Sequence, residues 1–214
     1  MKAMTINGIS LLRISVNTIH ALLVCLLVTS LISCEDSIYN EARILQSNPV
    51  TIPAQKLVKR ICSAFPQSSG QQGCLRLVYF IDSLNCQTCH MNQLIKAEKM
   101  KTANPNITNI EFIYIIQTNS ERSEFLYAQL CNARIEGTVY LDTCNAFRHA
   151  NPHIPDNPLF HTFVLNEQDS VVLVGDPFKN EKMESLLLKV IEIEKEKKAR
   201  KNSGQQVESE VEKI

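Results

Sequence analysis

The sequence predicts an α/β fold, a central mixed sheet with flanking helices, and three observations support this prediction. Two nearly continuous apolar runs, LRLVYFI at 75–81 and IEFIYII at 110–116, have the composition of strands that are buried on both faces. A segment with helical character follows each run. Near the end of the chain, two further strand-like runs flank the short polar turn NEQD at 166–169. Strands that alternate with helices pair in parallel, whereas strands joined by a short turn pair antiparallel.

The helices are predicted from periodicity and end signals. The first is predicted at 86–103, because apolar residues recur there at roughly helical spacing and Asn-Pro-Asn at 104–106 ends it. The second is predicted at 120–132, with Ser120 as its N-cap. The last is predicted at 179–198, where an apolar face gives way to a run of charged residues.

Three shorter strands are predicted at 138–141, 160–165 and 170–174. The tail at 199–214 is charged, has no sustained apolar face and is predicted to be disordered.

The segment at 34–73 is irregular, with several prolines and the polar run QSSGQQG. It is interpreted as a tether with a short edge element. Within it, 50–52 is predicted to be a short added strand and 57–65 a short helix. The α/β domain is therefore assigned to 74–198, and the sequence shows no second domain and no internal repeat.

Residues 1–33 have the features of a signal peptide. Lys2 and Arg13 precede an apolar stretch at 21–32 that is too short to span a membrane. The stretch runs into Leu-Ile-Ser-Cys, which resembles the lipobox of bacterial lipoproteins. The resemblance implies that the mature chain begins at Cys34, carries acyl chains such as palmitate, and is anchored in a bacterial cell envelope facing the periplasm. The alternative is a plain signal peptide with a chance cysteine.

Charge and cysteine content narrow the function classes. Lys+Arg and Asp+Glu both number 22, so no basic surplus points to a nucleic-acid partner. An even set of cysteines follows Cys34, as expected in an oxidising compartment: Cys62, Cys74, Cys86, Cys89, Cys131 and Cys144. Proximity in sequence favours the pairs Cys62–Cys74 and Cys131–Cys144. The alternative is that these four are buried small side chains.

The motif Cys86-Gln87-Thr88-Cys89 separates the first predicted strand from the first predicted helix. A cysteine at the N-terminus of a helix is stabilised as a thiolate, the reactive form, by the helix dipole. The layout therefore predicts thiol–disulfide chemistry. His90 extends the motif to CxxCH, which is also the attachment motif of c-type haem.

The element order and three sequences, LVYFIDSLNCQTCHMNQL, VYLD and FHTFVLNEQDSVVLVGDP, resemble the thioredoxin-like lipoproteins of Gram-negative envelopes. These are related to the peroxiredoxin and cytochrome-maturation oxidoreductase branch of the thioredoxin superfamily. The resemblance covers about residues 75–193. It implies a thioredoxin-like fold with an inserted strand and helix.

The resemblance also implies which residues meet. Thioredoxin-like enzymes have a cis-proline beside the cysteines, and His161 takes its place here, so Cys86, Cys89 and His161 are expected to converge. Functional loops follow the carboxyl ends of parallel strands, which makes Cys144 and Asp82 accessory candidates.

The chain also departs from the family pattern in two further places. Asn85 stands where the family often has tryptophan before the first cysteine. Tyr79 is the nearest match to the buried acid of thioredoxins, and Asp82 is a substitute carboxylate nearer the motif.

Three function classes follow. The first is a thiol–disulfide oxidoreductase without a cofactor, acting on protein thiols or disulfides, in which Cys86 attacks and Cys89 resolves the mixed disulfide. The second is a module that binds a partner, or a soft metal such as copper(I) or zinc through Cys86, Cys89 and His161. The third is a c-type haem protein with His90 as axial ligand, which the strand-rich pattern disfavours.

Overall fold

The computed structural model describes residues 37–60, 75–82, 87–107 and 110–211, with the side chains at 60, 87–90 and 202–211 excepted. The predicted signal peptide, Cys34 and Cys86 therefore lie outside the described residues. The chain divides into a unit at 1–40 and a unit at 41–214. Of the first unit only 37–40 are described, and they are helical. The sheet lies within the second unit.

A six-stranded mixed sheet with the order β1-β4-β3-β2-β5-β6 forms the centre of this unit. The strands are β1 (Val58–Arg60), β2 (Leu75–Ile81), β3 (Ile110–Gln117), β4 (Thr138–Asp142), β5 (Thr162–Leu165) and β6 (Val171–Val174). Strands β2, β3 and β4 are parallel, while β5 pairs antiparallel with β2 and β6 antiparallel with β5. Strand β1 pairs antiparallel with the outer side of β4. The predicted α/β class and thioredoxin-like strand order are confirmed.

The helices cover both faces of the sheet. They are α1 (residues 41–47), α2 (Gln87–Ala103), α3 (Ser120–Asn132), α4 (Ala146–Ala150) and α5 (Glu181–Val211). Short 3-10 turns lie at Ala54–Lys56, Pro105–Ile107 and Pro158–Phe160.

Each strand contributes to two separate layers of core because successive side chains point to opposite faces. On one face, Leu77 and Tyr79 of β2 belong to the cluster that contains buried residues of α2, α3 and α5. On the other face, Val78 and Phe80 belong to the cluster that contains Leu45 of α1 together with residues of α4. A strand buried on both faces needs apolar residues at nearly every position, which explains the continuous runs in β2 and β3.

The two predicted long strands and the first helix are confirmed, and the bounds of β4 and β6 agree within a residue or so. The helix predicted at 57–65 is wrong at its start, because Val58–Arg60 form strand β1. Residues 50–52 are not a strand, although Val50 is fully buried and its N–H donates to the carbonyl oxygen of Asp169 at 2.9 Å. Residues of the predicted tether therefore contribute to the core.

Three predictions of where a helix or strand begins or ends are also corrected. The cap of α3 is Asn119, whose side chain accepts from the N–H of Arg122, and Ser120 is the first helical residue. Strand β5 starts at Thr162, because a 3-10 turn occupies Pro158–Phe160. Helix α5 continues to Val211, so its backbone is helical through most of the predicted disordered tail.

Candidate functional site

The carboxyl-terminal edge of the parallel strands holds the described part of the candidate site. Strand β2 ends at Ile81 and α2 begins at Gln87, so the CxxC motif spans the connection between them. Cys89 lies in the first turn of α2, where backbone N–H groups have no helical partner and the dipole favours negative charge. The structure brings Asp82, Cys144 and His161 to this same edge, since each directly adjoins the corresponding end of β2, β4 or β5.

His161 is buried beside the end of β2. Its ring packs on Phe80 with centroids 5.0 Å apart, and its backbone carbonyl accepts from the N–H of Phe80 at 2.8 Å. Its Nε2 lies 2.9 Å from the carbonyl oxygen of Pro155, so that nitrogen is the donor in the pair. Burial, chiefly, and the charge of Arg148 lower the pKa of His161, while the bond to Pro155 opposes the shift.

Arg148 joins the surroundings of His161 to the start of the CxxC connection. Its guanidinium lies 3.7 Å from the carboxylate of Asp82 and 3.4 Å from His161 Nε2. It also donates to the carbonyl oxygen of Ile154 at 2.8 Å and covers the ring of Phe80. Asp82 is therefore one partner of an ion pair with Arg148. No sequence pattern identifies this arginine, because its partners come from three separate parts of the chain.

The neutral form of His161 stabilises the fold, which makes stability depend on pH. Its pKa in the folded chain is below the ordinary value of about 6.5 that it has when unfolded, so its contribution is complete above pH 6.5. The contribution is lost as the pH falls below that value. We expect His161→Gln, which retains an N–H donor but does not titrate, to flatten the decline of unfolding free energy between about pH 7 and pH 5. Denaturant unfolding at several pH values measures this.

His153 provides the matched control for that experiment. Burial lowers its pKa as well, so it contributes with the same sign. His153→Gln removes only its own share of the pH dependence. A His161→Gln variant with the wild-type pH profile would contradict the assignment of this behaviour to His161.

Cys144 carries a free, exposed thiol in the loop after β4. Its Sγ lies 3.9 Å from both the carbonyl oxygen of Lys56 and Oδ1 of Asp142. Cys131 is disulfide-bonded, with its partner outside the described residues. The predicted Cys131–Cys144 pair is therefore wrong. Cys131 is in the last turn of α3, before β4 begins, whereas Cys144 follows the far end of that strand.

The topology predicts which cysteines are available to Cys131. Helix α3 runs from the carboxyl end of β3 to the amino end of β4, so Cys131 lies near the edge opposite to the start of α2. A disulfide requires Cα atoms within about 7 Å. Cys62 follows β1 by two residues and Cys74 directly precedes β2, and both strand ends are at the edge near Cys131. We expect peptide mapping without reduction to join Cys131 to Cys62 or Cys74. A Cys131–Cys89 peptide would contradict this expectation.

Hydrogen bonds to the carboxylate of Asp176, which the sequence did not predict, connect α2 to the sheet. The hydroxyl of Tyr79 donates to Oδ1 of Asp176 at 3.1 Å, and Gln93 Nε2 donates to Oδ2 of the same carboxylate at 3.3 Å. The N–H of Phe178 also donates to Oδ1, at 2.9 Å. Burial, followed by the charge of Asp176, raises the pKa of Tyr79 well above its ordinary value, so the hydroxyl stays protonated. No sequence motif predicts this contact, since Tyr79 and Asp176 are 97 residues apart.

No group of three or more His, Cys, Asp or Glu side chains suited to a metal ion occurs among the described residues. The predicted metal site of Cys86, Cys89 and His161 is not tested by that finding, because the two cysteine side chains are not among those that the structure describes. Within the same described part of the chain, no helix is long and apolar enough to cross a lipid bilayer.

Comparison with known proteins gives structural similarities only. No protein-family model and no curated protein matches the chain. An uncharacterised thioredoxin-like protein from Porphyromonas gingivalis is 20% identical, with 70% of this chain and 95% of that one covered and a TM-score of 0.46. A proposed thiol:disulfide interchange protein, DsbE, from Chlorobium tepidum is 16% identical, with 56% and 82% covered and a TM-score of 0.43.

A proposed thiol-disulfide oxidoreductase from Bacteroides vulgatus is 15% identical, with 55% and 76% covered and a TM-score of 0.37. All three TM-scores are below 0.5, so these similarities add no argument about activity. The fold assignment depends on the strand order described above.

Proposed function

We propose that the chain is a lipid-anchored thiol–disulfide oxidoreductase of a bacterial cell envelope, with Cys86 and Cys89 as its reactive pair. The observation that supports this most strongly is the position of the motif. Strand β2 ends at Ile81 and α2 begins at Gln87, so the CxxC cysteines flank the start of a 17-residue helix. A thiol at that point is favoured as thiolate by the unpaired amides and by the helix dipole.

The reaction follows from thiol–disulfide exchange. The Cys86 thiolate attacks one sulfur of a substrate disulfide, a mixed disulfide forms, and the other substrate sulfur leaves as a thiolate. The Cys89 thiolate then attacks the Cys86 sulfur and releases the second substrate thiol. The substrate gains two electrons and the CxxC pair becomes a disulfide. In the reverse direction the same steps oxidise a substrate dithiol.

An exchange assay with the purified full-length chain tests this proposal. With dithiothreitol as the reductant, the protein is expected to accelerate reduction of a disulfide-containing test protein. Visible absorbance and metal analysis of the same sample test the haem and soft-metal alternatives. Absence of acceleration, together with a stoichiometric metal, would favour the metal-binding alternative over the oxidoreductase.

The lipid anchor has its own test. Cys34 is proposed as the acylated residue because it follows a short apolar core ending in Leu-Ile-Ser. Each buried CH₂ of an acyl chain contributes about 0.8 kcal/mol to membrane binding, so two or more chains hold a protein durably. Cys34→Ser is expected to move the protein from the membrane fraction to the soluble fraction of lysed cells. A variant that remains in the membrane fraction would contradict the anchor.

A further inference from the structure

We infer that a cavity between α1 and the loop that follows α4 binds an aliphatic primary ammonium group, the group that lysine side chains and simple amines share. Glu41 and His153 accept hydrogen bonds from the nitrogen, and apolar side chains pack against the stem. The cavity belongs to the second unit, and its lining among the described residues includes no cysteine. The site therefore does not depend on the proposed function.

The cavity has the size and composition of a site for a small ligand. Its volume is about 480 Å³, and it is open to solvent. Small-molecule sites typically measure about 300–1,000 Å³ and combine an apolar wall with a few polar groups. The apolar wall here consists of Ile44, Pro152, Ile154 and Pro155. It offers methylene groups a surface on which to pack.

The walls of the cavity are held in place by buried contacts. Leu45 of α1 is fully buried in the same core layer as Phe147 of α4, which fixes α1 beside the loop. At the start of the loop, Asn151 is fully buried, and its side chain donates to the carbonyl oxygen of Phe147 at 2.8 Å. Arg148 donates to the carbonyl oxygen of Ile154 at 2.8 Å. The cavity is therefore largely formed before a ligand binds.

Two polar atoms of lining residues lack a hydrogen-bond partner. Glu41 Oε2 and His153 Nε2 are both buried, and no described residue forms a hydrogen bond with either of them. Buried polar atoms nearly always have a partner, and leaving one unpaired costs free energy, more so for a charged group. A ligand that donates to both atoms removes this cost. Because both are covered in this conformation, the flexible Glu41 side chain must rotate to present its oxygen to the ligand.

The charges of the lining favour a cation. Glu41 and Asp156 are acids, and Arg148 is the one described lining residue with a positive charge at neutral pH. The guanidinium of Arg148 is already shared between the carboxylates of Asp82 and Asp156. Burial lowers the pKa of His153, so its ring is neutral near pH 7 and Nε2 can accept a hydrogen bond.

A primary ammonium fits these acceptors better than a metal ion or a guanidinium does. In the part of the chain that the structure describes, no three His, Cys, Asp or Glu side chains form a group suited to a metal. A guanidinium binds best to both oxygens of one carboxylate, whereas the unpaired atoms here are one oxygen and one ring nitrogen. An ammonium is compact and its N–H donors rotate, so it can reach both atoms at once.

NMR titration of the isotope-labelled full-length chain tests the site. The probe is N-acetyl-lysine N-methylamide, and the matched control ligand is the norleucine analogue, which has the aliphatic stem without the ammonium. We expect the lysine derivative to shift the amide signals of α1 and of the loop at 151–157 in a saturable manner. We expect the norleucine derivative to bind at least tenfold more weakly, and added salt to weaken only the lysine derivative.

Variants of the chain assign the binding to Glu41. Glu41→Gln keeps the shape of the side chain and removes its charge, and we expect about a tenfold loss of affinity for the lysine derivative. Glu192→Gln is the matched control, because Glu192 is an exposed residue of α5 that does not line the cavity. Its affinity should equal that of the wild type. If Glu41→Gln does not fold, His153→Phe decides, with an expected loss of at least about threefold.

Butylamine, titrated in the same way, distinguishes the two sources of the ammonium group. Tighter binding of the lysine derivative identifies a lysine of another protein, because the peptide groups then add contacts. Equal or tighter binding of butylamine identifies a free amine. The site would be overturned by equal affinity for the lysine and norleucine derivatives, by the absence of saturable shifts, or by wild-type affinity in Glu41→Gln. Each of these results leaves the cysteine chemistry of the proposed function untouched.

Discussion

Cys86→Ser is expected to lower the disulfide-exchange rate by at least about a hundredfold, because the step that forms the mixed disulfide has lost its nucleophile. Cys89→Ser is expected to have a different effect. Its first step remains, but the intermediate has no resolving thiol, so a mixed disulfide with the substrate accumulates. Exchange kinetics and intact-mass measurement of the trapped adduct distinguish the two variants.

Cys144→Ser is the matched control for both cysteine variants. Cys144 has the exposed free thiol near the same edge of the sheet, and its removal leaves the CxxC motif untouched. The variant is expected to keep most of the exchange activity. A loss in Cys144→Ser as large as that in Cys86→Ser would mean that the nucleophile has been assigned to the wrong residue.

Asp142→Ala is expected to produce a large loss of stability. The Asp142 side chain is fully buried at the end of β4, and its two oxygens accept from the N–H groups of Ala146 and Phe147, each at 2.9 Å. The alanine variant leaves these two amides of α4 buried without a partner. At about 1–3 kcal/mol for each such group, the loss in unfolding free energy is on the order of 3 kcal/mol. Chemical denaturation measures it directly.

Asp156 provides a control for the charge removed in that experiment. Its side chain is fully exposed and lies 3.4 Å from Arg148. Asp156→Ala removes the same charge, but no buried amide loses its hydrogen-bond acceptor. Stability is therefore expected to remain nearly that of the wild type. If Asp142→Ala is as stable as Asp156→Ala, the amides of α4 have another way of being satisfied and the account of this loop is wrong.

The parts of the fold that the sequence predicts are those governed by local pattern. Strands β2 and β3 are apolar at nearly every position because both of their faces are covered, and that is visible without a structure. The end of α2 follows from Asn-Pro-Asn directly after Ala103. The turn between β5 and β6 is equally local, and the Asn166 side chain accepts from the N–H groups of Gln168 and Ser170 within it.

The parts that the sequence does not predict depend on contacts between distant residues. Helix α4 has only five residues, too few for a periodic pattern, and it is held by a carboxylate that precedes it in β4. Strand β1 has three residues and exists because it pairs with β4. The contact of Tyr79 with Asp176 joins β2, an inner strand of the sheet, to a loop close to α5. The periodicity of a sequence does not predict contacts between residues that are far apart in the chain.

The candidate site also has features that the sequence predicts and features that it does not. The CxxC motif and its place before α2 are read from the sequence, and the carboxyl-edge positions of Asp82 and His161 follow from the predicted topology. The environment of His161 does not, because it depends on Arg148 in the unpredicted helix α4 and on the carbonyl oxygen of Pro155. Residue type and spacing say that a histidine is near the site. Its pKa depends on its burial, on the hydrogen bond to Pro155 and on the charge of Arg148, which only the folded structure brings together.

The most direct test of the account is the pH dependence of Cys86 alkylation in the reduced protein, combined with the reduction potential of the Cys86–Cys89 pair. A helix N-terminus lowers the pKa of a thiol below its ordinary value of about 8.5. The account predicts that Cys86 has such a lowered pKa, that it is alkylated faster than Cys89 at neutral pH, and that the pair equilibrates with a glutathione buffer. Slow and equal alkylation of both cysteines, with a disulfide that glutathione does not reduce, would contradict it.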